Sequence, residues 1–269
     1  MNIICDYHIH TYLCKHATGT PAEYLYQAHN KGLKSIGFSD HCPIPIGFDI
    51  SSRMGISQYT EYVEIIKELK DNPYGIEVLF GMEVDWVPGR MNEVEEFLSK
   101  TEHDYLIGSI HYVDSLPFDH PDHYKDWDNE DGIEHIWLRY FELMYDLVSW
   151  GKFDIMGHLD LPKKYSMYPK CMEKVYEISE RIFSLAGEKG IMLELNTSGL
   201  RKQVKEVFPS REILKIAYRN GVKIVFGSDA HESRDVGRDF DLASDLAKSV
   251  GYKEYCRIRK NKKRELIKL

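Results

Sequence analysis

Residues 2–10 read Asn2-Ile3-Ile4-Cys5-Asp6-Tyr7-His8-Ile9-His10, a strand-sized apolar run that closes on two histidines one residue apart. Side chains alternate across a strand, so His8 and His10 project from one face and can chelate a divalent ion as neutral imidazoles. The run also weighs against one architecture. A doubly wound nucleotide-binding sheet carries a Gly-rich phosphate loop after its first strand, and here Asp6-Tyr7-His8-Ile9-His10 stands in that place.

The same unit recurs along the chain. Runs at 35–41, 77–85, 105–111, 153–160, 191–198 and 222–231 are each rich in Ile, Val, Leu or Phe, and each is followed by a helix-like stretch, often stopped at Gly or Asn-Gly. Such apolar runs suit parallel strands covered on both faces. Thr20-Pro21-Ala22-Glu23 is a capping box with Pro at the first helical position, and that helix ends at Asn30-Lys31-Gly32. Ser57 is expected to cap the second helix, which runs through Tyr62, Ile65, Ile66 and Leu69 to Asn72-Pro73. Further helices are predicted at 92–100, 132–150, 171–189, 210–220 and 239–250, the last four followed by Gly151, Gly190, Gly221 and Gly251. Seven strand–helix units without a central break predict a closed or nearly closed α/β barrel, and 269 residues fit a single domain over 1–269 of that kind. Segment 114–131 is acidic and aromatic, with Phe118, His120, His123, Tyr124 and Trp127, and reads as a loop over the barrel mouth.

Composition narrows the function. With 35 basic and 43 acidic residues the formal charge is −8, which repels nucleic acid and anionic membrane, so a small molecule is the expected partner. No apolar run approaches the roughly 20 residues of a membrane helix, and the amino terminus lacks a basic n-region. Five cysteines without a close CxxC pair read as reduced thiols, which gives an expectation of a cytoplasmic protein.

The chemistry lies at the strand ends. Six of the seven runs finish in metal-ligand residues: His8-Ile9-His10, Ser39-Asp40-His41, Gly81-Met82-Glu83, Ser109-Ile110-His111, Gly157-His158 and Ser228-Asp229-Ala230-His231. Taken singly, each histidine is ordinarily a satisfied core or surface residue. In a parallel barrel, however, all strand carboxyl ends face one way, and so many buried imidazoles and carboxylates need counter-ions. His29, His103 and His135 fall outside the strand ends and are read as ordinary imidazoles, while His120 and His123 stay open in the long loop. Asp6 and Asp40 are either acceptors that orient an imidazole or plain strand-end polarity.

The arrangement resembles the polymerase and histidinol phosphatase family of metal-dependent phosphoesterases. The likeness rests on Asp6-Tyr7-His8-Ile9-His10-Thr11, Ser39-Asp40-His41, Gly81-Met82-Glu83 with Ser109-Ile110-His111, and Gly227-Ser228-Asp229-Ala230-His231. Cys14-Lys15-His16-Ala17, Gly157-His158-Leu159-Asp160-Leu161 and Glu194-Leu195-Asn196-Thr197-Ser198-Gly199-Leu200-Arg201 are similar to its histidinol-phosphatase branch. The resemblance implies a distorted seven-stranded barrel holding three divalent metal ions: one on His8, His10, Glu83 and Asp229, a second on His16, His41 and His231, and a third on Glu83, His111 and His158. His16 enters through the resemblance alone. The donor types suit zinc, manganese or iron.

Metal ions so placed activate water and neutralise phosphoryl oxygens, which suits hydrolysis of a phosphate monoester, and the resemblance to the histidinol-phosphatase branch implies L-histidinol phosphate, in histidine synthesis, as that ester. Glu83, Asp229 and His231 are the candidate catalytic residues, with Asp229, His231 or a water returning a proton to the leaving alkoxide. Arg201, Lys163 and Lys164 are candidates to grip the phosphate, Arg as a bidentate fork and Lys as a point charge. Four alternatives are carried: a family member acting on another phosphate ester or nucleotide, a proofreading nuclease, a metal-dependent amidohydrolase, and a metal-stabilised binding domain without turnover. Amidohydrolases commonly bridge their metals with a mid-barrel lysine where this chain has Glu83 and His111, a basic aromatic tract for long nucleic acids is lacking, and a degenerate domain would miss ligands.

Overall fold

The computed structural model describes residues 3–269; Met1 and Asn2, and with Asn2 the start of the first predicted strand, lie outside the described residues. Seven parallel strands run in sequence order: β1 (Cys5–Ile9), β2 (Ser35–Phe38), β3 (Glu77–Asp85), β4 (Tyr105–Ser109), β5 (Ile155–Met156), β6 (Met192–Asn196) and β7 (Ile224–Gly227). The crossovers are α1 (Pro21–Asn30), α2 (Tyr59–Lys70), α3 (Met91–Leu98), α4 (Glu130–Trp150), α5 (Glu173–Lys189), α6 (Arg211–Arg219) and α7 (Phe240–Val250). The result is the nearly closed seven-stranded α/β barrel that the sequence predicts. A single parallel bridge between Ile9 and Ala230 joins the last strand's end to the first, with the His10 amide donating to the Ala230 carbonyl at 3.0 Å. The barrel is irregular elsewhere too: the β1–β2 register shifts between Asp6 and Ile9.

Local chemistry explains the helix ends. The Glu23 amide donates to the Thr20 hydroxyl, the Glu23 carboxylate accepts from the Thr20 amide at 2.6 Å, and Pro21 follows, as the capping box requires. Asn129 caps α4 by accepting from the Gly132 amide at 3.0 Å, so this helix starts at Glu130, ahead of the expected 132. Ser57 does not cap α2: it lies in a short 3-10 turn, Ile56–Gln58, and Gln58 precedes the helix without a side-chain bond.

Every residue of β1, β2 and β4 to β7 is buried, as a sheet covered on both faces demands. Tyr105 fills the barrel interior; its ring lies against Gly37 and Gly81, where any Cβ would collide with it, and its hydroxyl donates to the Tyr7 carbonyl at 2.7 Å. Loop 114–131 is pinned down by Phe118 and Trp127, both buried, with the Trp127 indole N–H donating to the Phe118 carbonyl at 3.0 Å. Beyond α7 an antiparallel hairpin, β8 (Glu254–Arg259) and β9 (Lys263–Lys268), was not foreseen. The buried Tyr7 hydroxyl ties it to β1 by donating to the Ile258 carbonyl and accepting from the Ile258 amide. Among the described residues no helix is long and apolar enough to cross a membrane.

Candidate metal centre

Parallel strands deliver their terminal side chains to one face, and Glu83, near the end of β3, receives most of them. Its Oε2 lies 3.3 Å from His8 Nε2, 3.5 Å from His10 Nε2 and 3.1 Å from His41 Nδ1. Its Oε1 lies 2.9 Å from His158 Nε2 and 3.6 Å from His111 Nε2. Asp229 faces the same centre, with Oδ1 3.4 Å from His10 Nε2 and 3.4 Å from His231 Nδ1. The His16 ring stacks on His231 at 4.5 Å between centroids and lies 5.7 Å from His41. All nine residues anticipated as ligands thus stand together, although the first and last are more than two hundred positions apart.

Their surroundings fit divalent ions. Burial raises the carboxyls of Glu83 and Asp229, but the imidazoles around them outweigh it and hold both well below the usual carboxylate range. His8 Nε2, both ring nitrogens of His10, His41 Nδ1, His158 Nδ1 and His231 Nε2 are buried with no hydrogen-bond partner. Orphaned polar atoms in such number are costly, and cations would satisfy them together. The donor atoms fall into groups spanning no more than 4.8 Å: His8, His10 and Asp229; His8, Glu83 and His158; His10, His41 and His231.

Outer carboxylates and carbonyls aim the rings. Glu194 on β6 pairs with His8 Nδ1 at 2.7 Å and accepts from the His158 amide at 2.8 Å. Asp85, two residues beyond Glu83, pairs with His111 Nδ1 at 2.7 Å and with Arg53 at 2.7 Å. Burial pushes the Asp85 carboxyl up, but His111 and Arg53 hold it below its ordinary range; burial lowers the His111 imidazole, but Asp85 and Glu83 take it to about 10. His16 and His231 use their Nδ1 atoms on the carbonyls of Cys14 and Asp229, which leaves Nε2 for the centre. Asp40 lies 3.4 Å from His10 Nδ1 without a hydrogen bond to it and is instead bound by the hydroxyl and amide of Thr11, so it stands beside the ring as a neighbouring charge. Asp6 differs: it accepts from the amides of Ser228, Gly237 and His8, which fastens the end of β7 to β1 and touches no imidazole, and burial pushes its carboxyl up to about 6.

A cavity of about 860 Å³ opens over the centre, and Lys164, Arg201, Lys202, Asp119, His120 and Tyr112 contribute to its wall. The Lys164 ammonium donates to the Asp119 carbonyl at 2.6 Å and pairs with its carboxylate at 3.0 Å. Arg201 is held by Asp235 at 3.2 Å and donates to the Ser228 carbonyl. Lys163 corrects the expectation. It is fully buried, bound to Asp160, Glu206 and the Val207 carbonyl, and off the cavity wall, because the 3-10 turn Leu161–Tyr165 sends consecutive side chains different ways. Of the open histidines, His120 reaches the cavity, whereas His123 is exposed and pairs with Asp126. His29 stacks on Tyr74 and His135 pairs with Asp114, while His103 lines a separate surface pocket. Sequence reasoning missed Glu194, Asp85, Arg53, Tyr112 and Lys202; period-two alternation from Glu83 could have found Asp85.

Comparison with known proteins adds a family. The PHP domain profile matches residues 6–198. A probable histidinol-phosphatase of Deinococcus radiodurans is 36% identical over 93% of this chain and 95% of its own length. The histidinol-phosphatase of Bacillus subtilis is 32% identical over 88% of this chain and 96% of its own. Among solved structures, the histidinol phosphate phosphatase of Lactococcus lactis, complexed with zinc, L-histidinol and phosphate, superposes with a TM-score of 0.79 at 21% identity, over 97% of this chain and 98% of that one. At that identity the superposition speaks for the fold.

Proposed function

The chain belongs to the PHP domain family, and from that premise we propose that it is a histidinol-phosphatase, a metal-dependent phosphomonoesterase that converts L-histidinol phosphate and water to L-histidinol and phosphate. One observation carries the chemistry: a single buried carboxylate, Glu83, within 3.6 Å of five imidazoles at the floor of a cation-walled cavity. His8, His10, Glu83 and Asp229 would hold one ion, His16, His41 and His231 a second, and Glu83, His111 and His158 a third. When bound, such ions lower the pKa of a shared water and neutralise phosphoryl oxygens.

The chain's own residues supply the rest. Glu194 and Asp85 keep the His8 and His111 imidazoles turned toward the centre, so little reorganisation is needed as charge develops. Lys164 offers the phosphate a point charge; burial lowers its ammonium pKa, but Asp119 outweighs that and keeps it protonated. Arg201 offers a fork already oriented by Asp235. Asp229, whose Oδ2 accepts from the Ser198 hydroxyl at 3.1 Å, is held as a carboxylate, and His231 turns its Nε2 to the second ion, so a water at the centre is left to return the proton to the leaving alkoxide. Asp119 and His120 from loop 114–131 give that wall the acidic and hydrogen-bonding groups suited to an ammonium and an imidazole. All five cysteines are free, which suits the cytoplasmic location that a biosynthetic enzyme implies.

The test is a phosphate-release screen with metal-replete protein on L-histidinol phosphate, other small monoesters, a nucleotide and a diester. Preferential turnover of L-histidinol phosphate is the expected result. Efficient hydrolysis of a different ester, with no phosphate released from this one, would overturn the assignment.

A further inference from the structure

The buried cysteines differ in their surroundings. Cys5, Cys42 and Cys256 pack into the hydrophobic core, whereas Cys14, equally inaccessible, is absent from that packing and stands among the histidines. The local backbone puts it there. Thr11 opens a 3-10 turn, Tyr12–Cys14, by accepting from the Leu13 amide, and Lys15 at φ 71° folds the chain back so that His16 Nδ1 meets the Cys14 carbonyl at 2.8 Å. The Cys14 sulfur and ring nitrogens of His16 and His231 all lie within 4.8 Å of one another. The same span holds the sulfur, a ring nitrogen of His10 and a carboxylate oxygen of Asp40. His10 is fully buried with neither ring nitrogen hydrogen-bonded, and His231 Nε2 also lacks a partner, so unsatisfied donor atoms already point at the sulfur's neighbourhood.

We propose that Cys14 is a thiolate donor to the ion held by His16 and His231, giving this subsite a preference for a soft divalent cation such as zinc over manganese or magnesium. The inference rests on the metal centre proposed above and adds one ligand to it. Binding releases the thiol proton to solvent as the sulfur–metal bond forms, with no change of oxidation state. Imidazoles already bind zinc more tightly than manganese, and a soft thiolate widens that gap, so one atom sharpens which ion the subsite selects.

X-ray absorption of the zinc-loaded wild-type protein reads the ligand directly. A sulfur scatterer at about 2.3 Å, distinct from nitrogen at about 2.0–2.1 Å, is expected. In the cobalt-substituted protein, a near-ultraviolet thiolate-to-cobalt band should be present in the wild type and in Cys171→Ser, whose thiol is exposed, and absent from Cys14→Ser. Zinc-over-manganese preference in Cys14→Ser should fall by at least about tenfold, the lower end of what even outer-sphere changes cost. Bound zinc surrounded by nitrogen and oxygen alone in the wild type would overturn the role of Cys14 and leave the metal centre standing, and this result needs no variant to fold. A wild-type protein that retains no metal would sink both.

Discussion

Glu83 is where charge compensation in the centre concentrates, because its two oxygens answer imidazoles from the ends of four other strands. Replacing it by alanine leaves those rings without their shared anion. Glu83→Ala should lose bound metal, read by elemental analysis, and lower phosphate release by more than about 100-fold, beyond the 10–100-fold typical of outer-sphere changes. Unchanged metal content and rate would remove Glu83 from the site. Glu194 acts one layer out, through His8 Nδ1 and the His158 amide. Glu194→Gln keeps the shape but removes the charge that fixes the His8 ring, so metal affinity should fall by roughly 10–100-fold with circular dichroism unchanged. A variant that binds metal as the wild type does would make Glu194 a packing residue only.

Between strands the tightest constraint is the end of β7. A Cβ on Gly227 would run into the Glu194 carboxylate and the Cβ of His8, so this position has to be glycine if β1, β6 and β7 are to share one imidazole–carboxylate pair. Two residues later Asp229 sits at φ 52°, in the left-handed region that Asp tolerates better than most non-glycine residues. Gly227→Ala should shift the urea midpoint by an amount equivalent to about 1–3 kcal/mol and reduce activity as well, since the displaced atoms belong to the site. Full stability together with full activity would show that the clash relaxes freely. Element boundaries followed local chemistry unevenly. Glu77–Asp85 and Pro21–Asn30 were legible to the residue, from an apolar run bounded by acidic residues and from a capping box. The predicted strand at 153–160 shrank to Ile155–Met156 because His158 and Asp160 take positive φ, which no apolar pattern reveals. The hairpin β8–β9 escaped because its second strand opens on three consecutive charged residues, Lys263, Arg264 and Glu265, and shows no alternation. Ligands at strand ends could be read from chain order, whereas His16, in the loop after β1, came only through family resemblance. The side on which Lys163 and Lys164 fall depended on one turn of 3-10 helix.

At the scale of the molecule, a barrel that gathers so many buried imidazoles and acids at one mouth carries an electrostatic load in the metal-free state. Ions bound to the folded state alone stabilise it by about 2.7 kcal/mol at a hundred times their dissociation constant. Chelation should therefore lower the melting temperature by several degrees, at roughly 2–4 °C per kcal/mol for a chain of this size, and restored metal should return it. A melting curve indifferent to chelator would mean that the cluster is satisfied without ions. The most direct measurement is anomalous X-ray scattering from metal-loaded crystals, collected at the absorption edge of the bound ion. Convergence of the strand ends on one catalyst requires the anomalous peaks to fall together around Glu83, within coordination distance of His8, His10, His111, His158, Asp229 and His231. Peaks dispersed over the surface, or none within reach of Glu83, would contradict it.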